Sequence, residues 1–173
     1  MAVDVRDFAA EIPEKILWFG AYPCTPGTMT ALLDKGITAF LDLTTEEDIS
    51  ILGEKYNVGE RYILPDDCIR LHVPIKDQRC PIVSDASLMV DWTQQCLLDG
   101  RSVYIHCRGG HGRAALVTAL VLMSYDDGMS AQTALDRVHA AHQKRRVMEP
   151  RWRKLGAPQT RTQKQFVLNW KKR

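Results

Sequence analysis

No stretch of this 173-residue chain is both long and apolar enough to span a bilayer. The longest mainly apolar run, AALVTALVLM from Ala114 to Met123, falls well short of the roughly 20 residues required and suits a buried core helix. A disulfide framework is missing as well. Cys24, Cys68, Cys80, Cys96 and Cys107 are odd in number and scattered, with no CxxC spacing, which excludes a small stapled scaffold. With no hydrophobic signal segment after Met1, a reducing cytoplasmic or nuclear setting is expected. Aromatic residues make up only 8% and do not interleave the basic ones, so no nucleic-acid partner is expected. Repeats and low-complexity segments are also absent. The length and the 45% hydrophobic content suit one well-packed domain over residues 1–173.

The small net charge of +2 conceals an asymmetry. From Arg137 to Arg173 there are twelve Lys or Arg and a single acid, Glu149, so residues 137–173 carry +11 and the rest of the chain −9. This basic C-terminal segment reads either as solvated helix faces or as a positive surface that recruits a phosphorylated or otherwise anionic ligand.

Apolar strand-like runs alternate with helical patterns. KILWFG, ITAFLDLT, CIRLHVPI and SVYIHC read as strands. Helices are expected over Pro26–Gly36, Thr44–Tyr56, Ser84–Gly100, Ala114–Tyr125, Ser130–His142 and Thr160–Lys172, several of them opened by capping residues and closed by glycine. The alternation predicts an α/β fold: a single domain with a central, mostly parallel sheet flanked by helices on both faces. Ligands of such sheets bind at the carboxyl ends of the strands, which is where Cys107 falls.

That end carries the most informative stretch, HCRGGHGRA from His106 to Ala114. Gly109, Gly110 and Gly112 free the backbone to turn several N–H groups toward one point, forming a cradle for an oxyanion. The helix beginning near Arg113 adds the positive end of its dipole, and Arg113 offers a planar fork to two phosphate oxygens. The same field favours a thiolate at Cys107, so anion binding and nucleophile activation have one physical cause. The loop lacks the GK[ST] ending of a nucleotide-binding P-loop. His106, Cys107 and His111 are too close together to ligate a metal, and His139 and His142 lack further partners. Neither a metal nor another cofactor is expected.

The H-C-x5-R spacing resembles the signature of cysteine-dependent protein tyrosine phosphatases, and HCRGGHGR is most similar to the dual-specificity branch, in particular its kinase-associated members. VPIKDQRCP resembles the family's general-acid loop, and GAPQTRTQKQF resembles a Q-T-x-x-Q segment near the end of those chains. The resemblance spans about Ile16 to Trp170 and implies a protein tyrosine phosphatase-like fold. It further implies that Cys107 attacks phosphorus, that Arg108, Gly109, Gly110, His111, Gly112 and Arg113 hold the phosphate, and that Asp77 protonates the leaving group. Water would then hydrolyse a phosphocysteine, with Asp77 as base and Gln159 placing the water; Gln163 is a second candidate for that placement, and His106 supports the loop.

Competing readings stand beside these. Asp66 and Asp67 are alternative acids, and Gln159 also reads as an ordinary residue near the start of the last helix. A phosphorylated protein is the expected substrate. Arg108 and His111 occupy loop positions that are lysine in related lipid phosphatases, which keeps a phosphoinositide open, and an RNA 5′-triphosphate is a further possibility within the same loop chemistry. Ala114 departs from the family's usual Ser or Thr, a hydroxyl that assists the cysteine sulfur, so a phosphate-binding module with little turnover is the remaining alternative.

Overall fold

The computed structural model describes residues 2–53 and 64–171. Residues 54–56 of the expected helix and residue 172 of the last one lie outside them.

Five strands form one sheet: β1 (Ala9–Ile12), β2 (Leu17–Gly20), β3 (Ile37–Asp42), β4 (Ile69–His72) and β5 (Ser102–His106). Their order is β1-β2-β5-β3-β4, with β1 antiparallel to β2 and every other pairing parallel. The seven α-helices among the described residues are α1 (Pro26–Asp34), α2 (Glu46–Leu52), α3 (Val83–Leu98), α4 (Arg113–Tyr125), α5 (Ala131–Gln143), α6 (Pro150–Leu155) and α7 (Arg161–Asn169). None is long and apolar enough to cross a membrane.

Strand periodicity divides the interior into two layers. Successive side chains of β5 point to opposite faces: Val103, Ile105 and Cys107 join the larger core under α3, α4, α5 and α7, whereas Tyr104 joins Trp18, Phe40, Leu32 and Met29 under α1. Central β5 is thus covered on both sides, which explains why its sequence reads as a continuous apolar run and not as a half-polar alternation. Helix α4 is buried almost all round, from Arg113 to Leu122, as its Ala, Leu and Val content requires.

Three elements were not expected from the sequence: a single 3-10 turn at Val5–Asp7, β1 and α6. AAEI is a four-residue antiparallel edge strand with weak β-propensity, and the charged hexapeptide PRWRKL has no buried residue to produce an apolar period. The last helix ends at Asn169, before the expected Lys172. Register then fixes the location of the chemistry. His106 pairs with Gly20 on one side and Asp42 on the other, so the following loop emerges at the carboxyl edge in the middle of the sheet.

Candidate active site

Leaving β5, the chain folds back over Cys107 and enters α4 through Gly112. The Gly110 N–H donates to Cys107 Sγ at 3.2 Å. Gly110 has φ of +79°, and a Cβ there would collide with the Gly20 backbone, so no other residue fits both the turn and its neighbour. The β2–α1 connection clamps the loop from outside: Tyr22 N–H donates to the Arg108 carbonyl at 3.1 Å, and the Tyr104 hydroxyl donates to the Ala21 carbonyl at 2.5 Å. Cys107, 2% exposed, lies at the base of a cleft of about 240 Å³ whose lining includes Asp77, Arg108, Arg113, Arg151, Trp152 and Gln159.

Carboxylates hold the arginines. Asp48 in α2 takes Arg113 in a two-pronged pair, Nη1 to Oδ2 at 2.6 Å and Nη2 to Oδ1 at 3.0 Å, while Nη1 also donates to the Ile75 carbonyl at 2.8 Å. Asp77 bridges both arginines, its Oδ2 lying 3.0 Å from Arg108 Nη2 and its Oδ1 3.2 Å from Arg113 Nη2. Asp48 is also the N3 member of a capping box with Thr45, whose N–H donates to Oδ2 at 2.8 Å. Burial alone would raise the Asp48 carboxyl, but the hydrogen bonds from Arg113 and Thr45 outweigh it and hold the group below the usual carboxylate range.

Stacked and hydrogen-bonded rings brace the loop from the side of α5 and α6, which also brings Arg145 to the Gly109 carbonyl. His111 Nδ1 and His142 Nε2 are 2.9 Å apart, one ring donating to the other, and His111 stacks on Trp152 of α6 with centroids 4.9 Å apart. Burial, reinforced by Arg145 and Arg151, pushes His111 down to about 4; burial and the neighbouring His111 take His142 to about 3. Both rings are therefore neutral near pH 7. His106 is fully buried, stacked on Tyr104 and edge-on to Tyr22, and burial lowers it despite the opposing pull of Asp42.

Cys107, Arg108, Arg113, Asp77 and Gln159, expected from the sequence to act together, do border one cleft. His111 also borders it, but with its ring engaged by His142 and Trp152. Gln159 and Gln163 both press on Gly112, where a Cβ would meet their amides. The Gln163 amide is committed elsewhere: its oxygen accepts from Thr160 N–H at 3.2 Å and its nitrogen donates to the Arg79 carbonyl at 3.2 Å, tying α7 to the loop that carries Asp77. Asp66 and Asp67 precede β4, at the opposite end of the parallel strands from Cys107. Much of the basic segment is spent internally, since Arg145 bonds the Gly109 carbonyl, Arg146 pairs with Asp4 and Arg153 bonds the Gln143 and Arg145 carbonyls. Sequence reasoning missed Asp48, Arg145, Arg151 and Trp152. The one signal for Asp48 was its T-x-x-D capping pattern, which says nothing of Arg113.

A family model described as "Polymorphic toxin system, DSP-PTPase phosphatase" matches residues 20–127. Protein 067L of Invertebrate iridescent virus 3, named as a tyrosine phosphatase, is 33% identical over 154 residues, which cover 86% of this chain and 59% of the viral protein. The chain spans about half the length of the viral relatives it matches. Among solved structures, Tk-PTP in its active form superposes with a TM-score of 0.65 at 25% identity, over 92% of each chain. Kinase-associated phosphatase, solved with its catalytic-site cysteine replaced by serine, gives a TM-score of 0.70 at 18% identity over 96% of this chain and 94% of its own, a likeness of fold.

Proposed function

This chain belongs to the DSP-PTPase family of phosphatases, and from that premise we propose that it hydrolyses phosphomonoesters on proteins, at phosphotyrosine, phosphoserine and phosphothreonine, through a phosphocysteine intermediate. The observation that carries the reading is the convergence of Cys107, Arg113 and Asp77 on one cleft beneath a glycine-rich loop.

In this scheme the Cys107 thiolate attacks phosphorus in line with the leaving oxygen, forming the S–P bond as the O–P bond breaks. Arg113 and the loop N–H groups hold the equatorial oxygens, where negative charge is concentrated in the transition state. Asp77 gives its proton to the departing phenol or alcohol, then takes one from the water that attacks the phosphocysteine; Gln159, on the cleft wall, places that water. Sulfur leaves as thiolate and inorganic phosphate departs. Ala114 is fully buried and has no hydroxyl to offer, and the Thr118 hydroxyl donates to the Ala114 carbonyl at 2.7 Å, so the Gly110 N–H is the donor that supports the sulfur in both steps.

A polyphosphorylated substrate has weaker support. Of the two loop positions that would supply extra cations, His111 is neutral, which leaves Arg108 as the one added charge. The test is steady-state hydrolysis of phosphopeptides, phosphoinositides and 5′-triphosphate RNA, with a chelator present throughout. Phosphopeptide turnover that disappears in Cys107→Ser, while phosphate-analogue binding persists, is expected. Full activity in Cys107→Ser overturns the mechanism, loss of activity to the chelator overturns its metal independence, and preference for a phosphoinositide or for RNA overturns the substrate class. Binding without turnover on any substrate makes the chain a phosphate-binding module.

A further inference from the structure

Arg145, just beyond α5, is 7% exposed, an environment in which a cation ordinarily needs a carboxylate. Among the described residues it forms no ion pair. Its Nη1 donates to the Gly109 carbonyl at 2.8 Å, and the titratable groups that interact with its charge are Tyr104, Cys107, His111, His142 and Arg153, none of them a carboxylate. The turn that carries it is braced from α6 by Arg153, which donates to the carbonyls of Arg145 at 2.9 Å and Gln143 at 2.7 Å. A buried guanidinium is thus aimed at one peptide of the phosphate loop.

That peptide joins Gly109 to Gly110 and is trans, so its C=O and N–H point in opposite directions. The carbonyl faces Arg145, and the N–H on the other side donates to Cys107 Sγ at 3.2 Å. Glycine on both sides of a peptide offers the least steric resistance to its rotation. A flipped peptide would present a carbonyl oxygen to the thiolate where a donor now stands.

We propose that Arg145 is a positioning residue for the reaction: by holding the Gly109 carbonyl, it locks the Gly109–Gly110 peptide with its N–H toward the Cys107 sulfur. The proposal rests on the phosphatase reading for the use made of the sulfur, but not for its geometry. Charge complements this arrangement, because Arg145 lacks an internal carboxylate among the described residues and the thiolate or the bound phosphate supplies the negative partner.

The experiment compares wild type, Arg145→Met, Arg145→Gln and Arg145→Lys. It reads iodoacetamide alkylation of Cys107 at pH 6.5 by peptide mass mapping, kcat and KM on p-nitrophenyl phosphate, and thermal midpoints. One charge-assisted hydrogen bond to the thiolate is at stake, so Arg145→Met should slow Cys107 alkylation and kcat each by about tenfold. Arg145→Lys, which keeps a long donor, should recover most of both rates. If Arg145→Met fails to fold, Arg145→Gln, too short to reach the Gly109 carbonyl, is read in its place. A folded Met or Gln variant with wild-type alkylation and turnover overturns the proposal, as does a slowed Lys variant no better than Met. Alkylation needs no turnover: wild type that alkylates in an Arg145-dependent way yet hydrolyses nothing overturns the phosphatase reading and leaves this inference standing.

Discussion

On one side of the phosphate loop, Asp48 and Asp77 surround Arg113 and Arg108 with carboxylate oxygens at 2.6 to 3.4 Å; on the other, His111, His142 and Trp152 meet the loop as uncharged rings. Both walls restrain the same short segment, but by different physics. The carboxylate wall orients the guanidinium charge on which the proposed reaction relies. The aromatic wall holds His111 in place through a ring hydrogen bond and a stack. The two should therefore fail under different conditions and with different symptoms.

The largest break is expected at Asp48. Removing one partner of a buried pair costs up to about 3 to 5 kcal/mol, offset in part here because Asp77 still lies 3.2 Å from Arg113. Asp48→Asn should lower the denaturant midpoint accordingly and also reduce kcat/KM by roughly a hundredfold or more as Arg113 loses its orientation. A variant with wild-type kcat/KM would show that the Ile75 carbonyl and the fold alone orient the arginine.

A second substitution sharpens the contrast within the carboxylate wall. Asp77 is 37% exposed, so Asp77→Asn should leave stability almost unchanged. If it is the general acid, turnover of phenyl phosphate should fall by about a hundredfold, while an activated aryl phosphate, whose leaving group needs little protonation, loses much less. Equal losses on both substrates would assign Asp77 to holding Arg108 and Arg113.

The smallest effect belongs to the aromatic wall and depends on pH. With His111 depressed from 6.5 to about 4, the unfolded chain takes up a proton that the folded ring refuses, so stability is full above pH 6.5 and declines toward pH 4. The shift corresponds to at most about 3 kcal/mol. Asp48, also depressed, acts later: its contribution stays intact above its unfolded value of 3.8 and is lost only as pH falls through the lower folded value. Urea titrations from pH 7 to 4 should show this decline, and His111→Phe should make it shallower, with His142, depressed to about 3, still contributing. An unchanged slope in that variant would assign the acid sensitivity to other groups.

The same division explains what could be read from the sequence. Cys107, the glycines and Arg113 are contiguous, and their spacing encodes a turn whose purpose is chemical. The buried strands and α4 announced themselves by apolar content. Asp77 and Gln159 were legible through resemblance of their flanking residues, and both border the cleft. Asp48 was not, because its local pattern is satisfied by a helix cap and its other partner lies 65 positions away. Arg145 and Trp152 were hidden in a basic stretch where exposed charge is the ordinary reading. What identifies them is a hydrogen bond to Gly109 and a stacked ring on His111, and neither leaves a periodic trace.

Helix α2 has a single buried residue among its seven, and that residue is Asp48. Ile49 and Leu52 pack at the margin of the smaller core, and Asp48 pairs with Arg113 and Arg108, so apolar contacts and ion pairs together hold the helix to the body of the protein. A ligand that competes for the Arg113 guanidinium weakens the tether, so amide exchange along Glu46–Leu52 reports the state of an arginine in another helix. In the proposed scheme, occupancy of the phosphate cradle and local opening of α2 are therefore coupled.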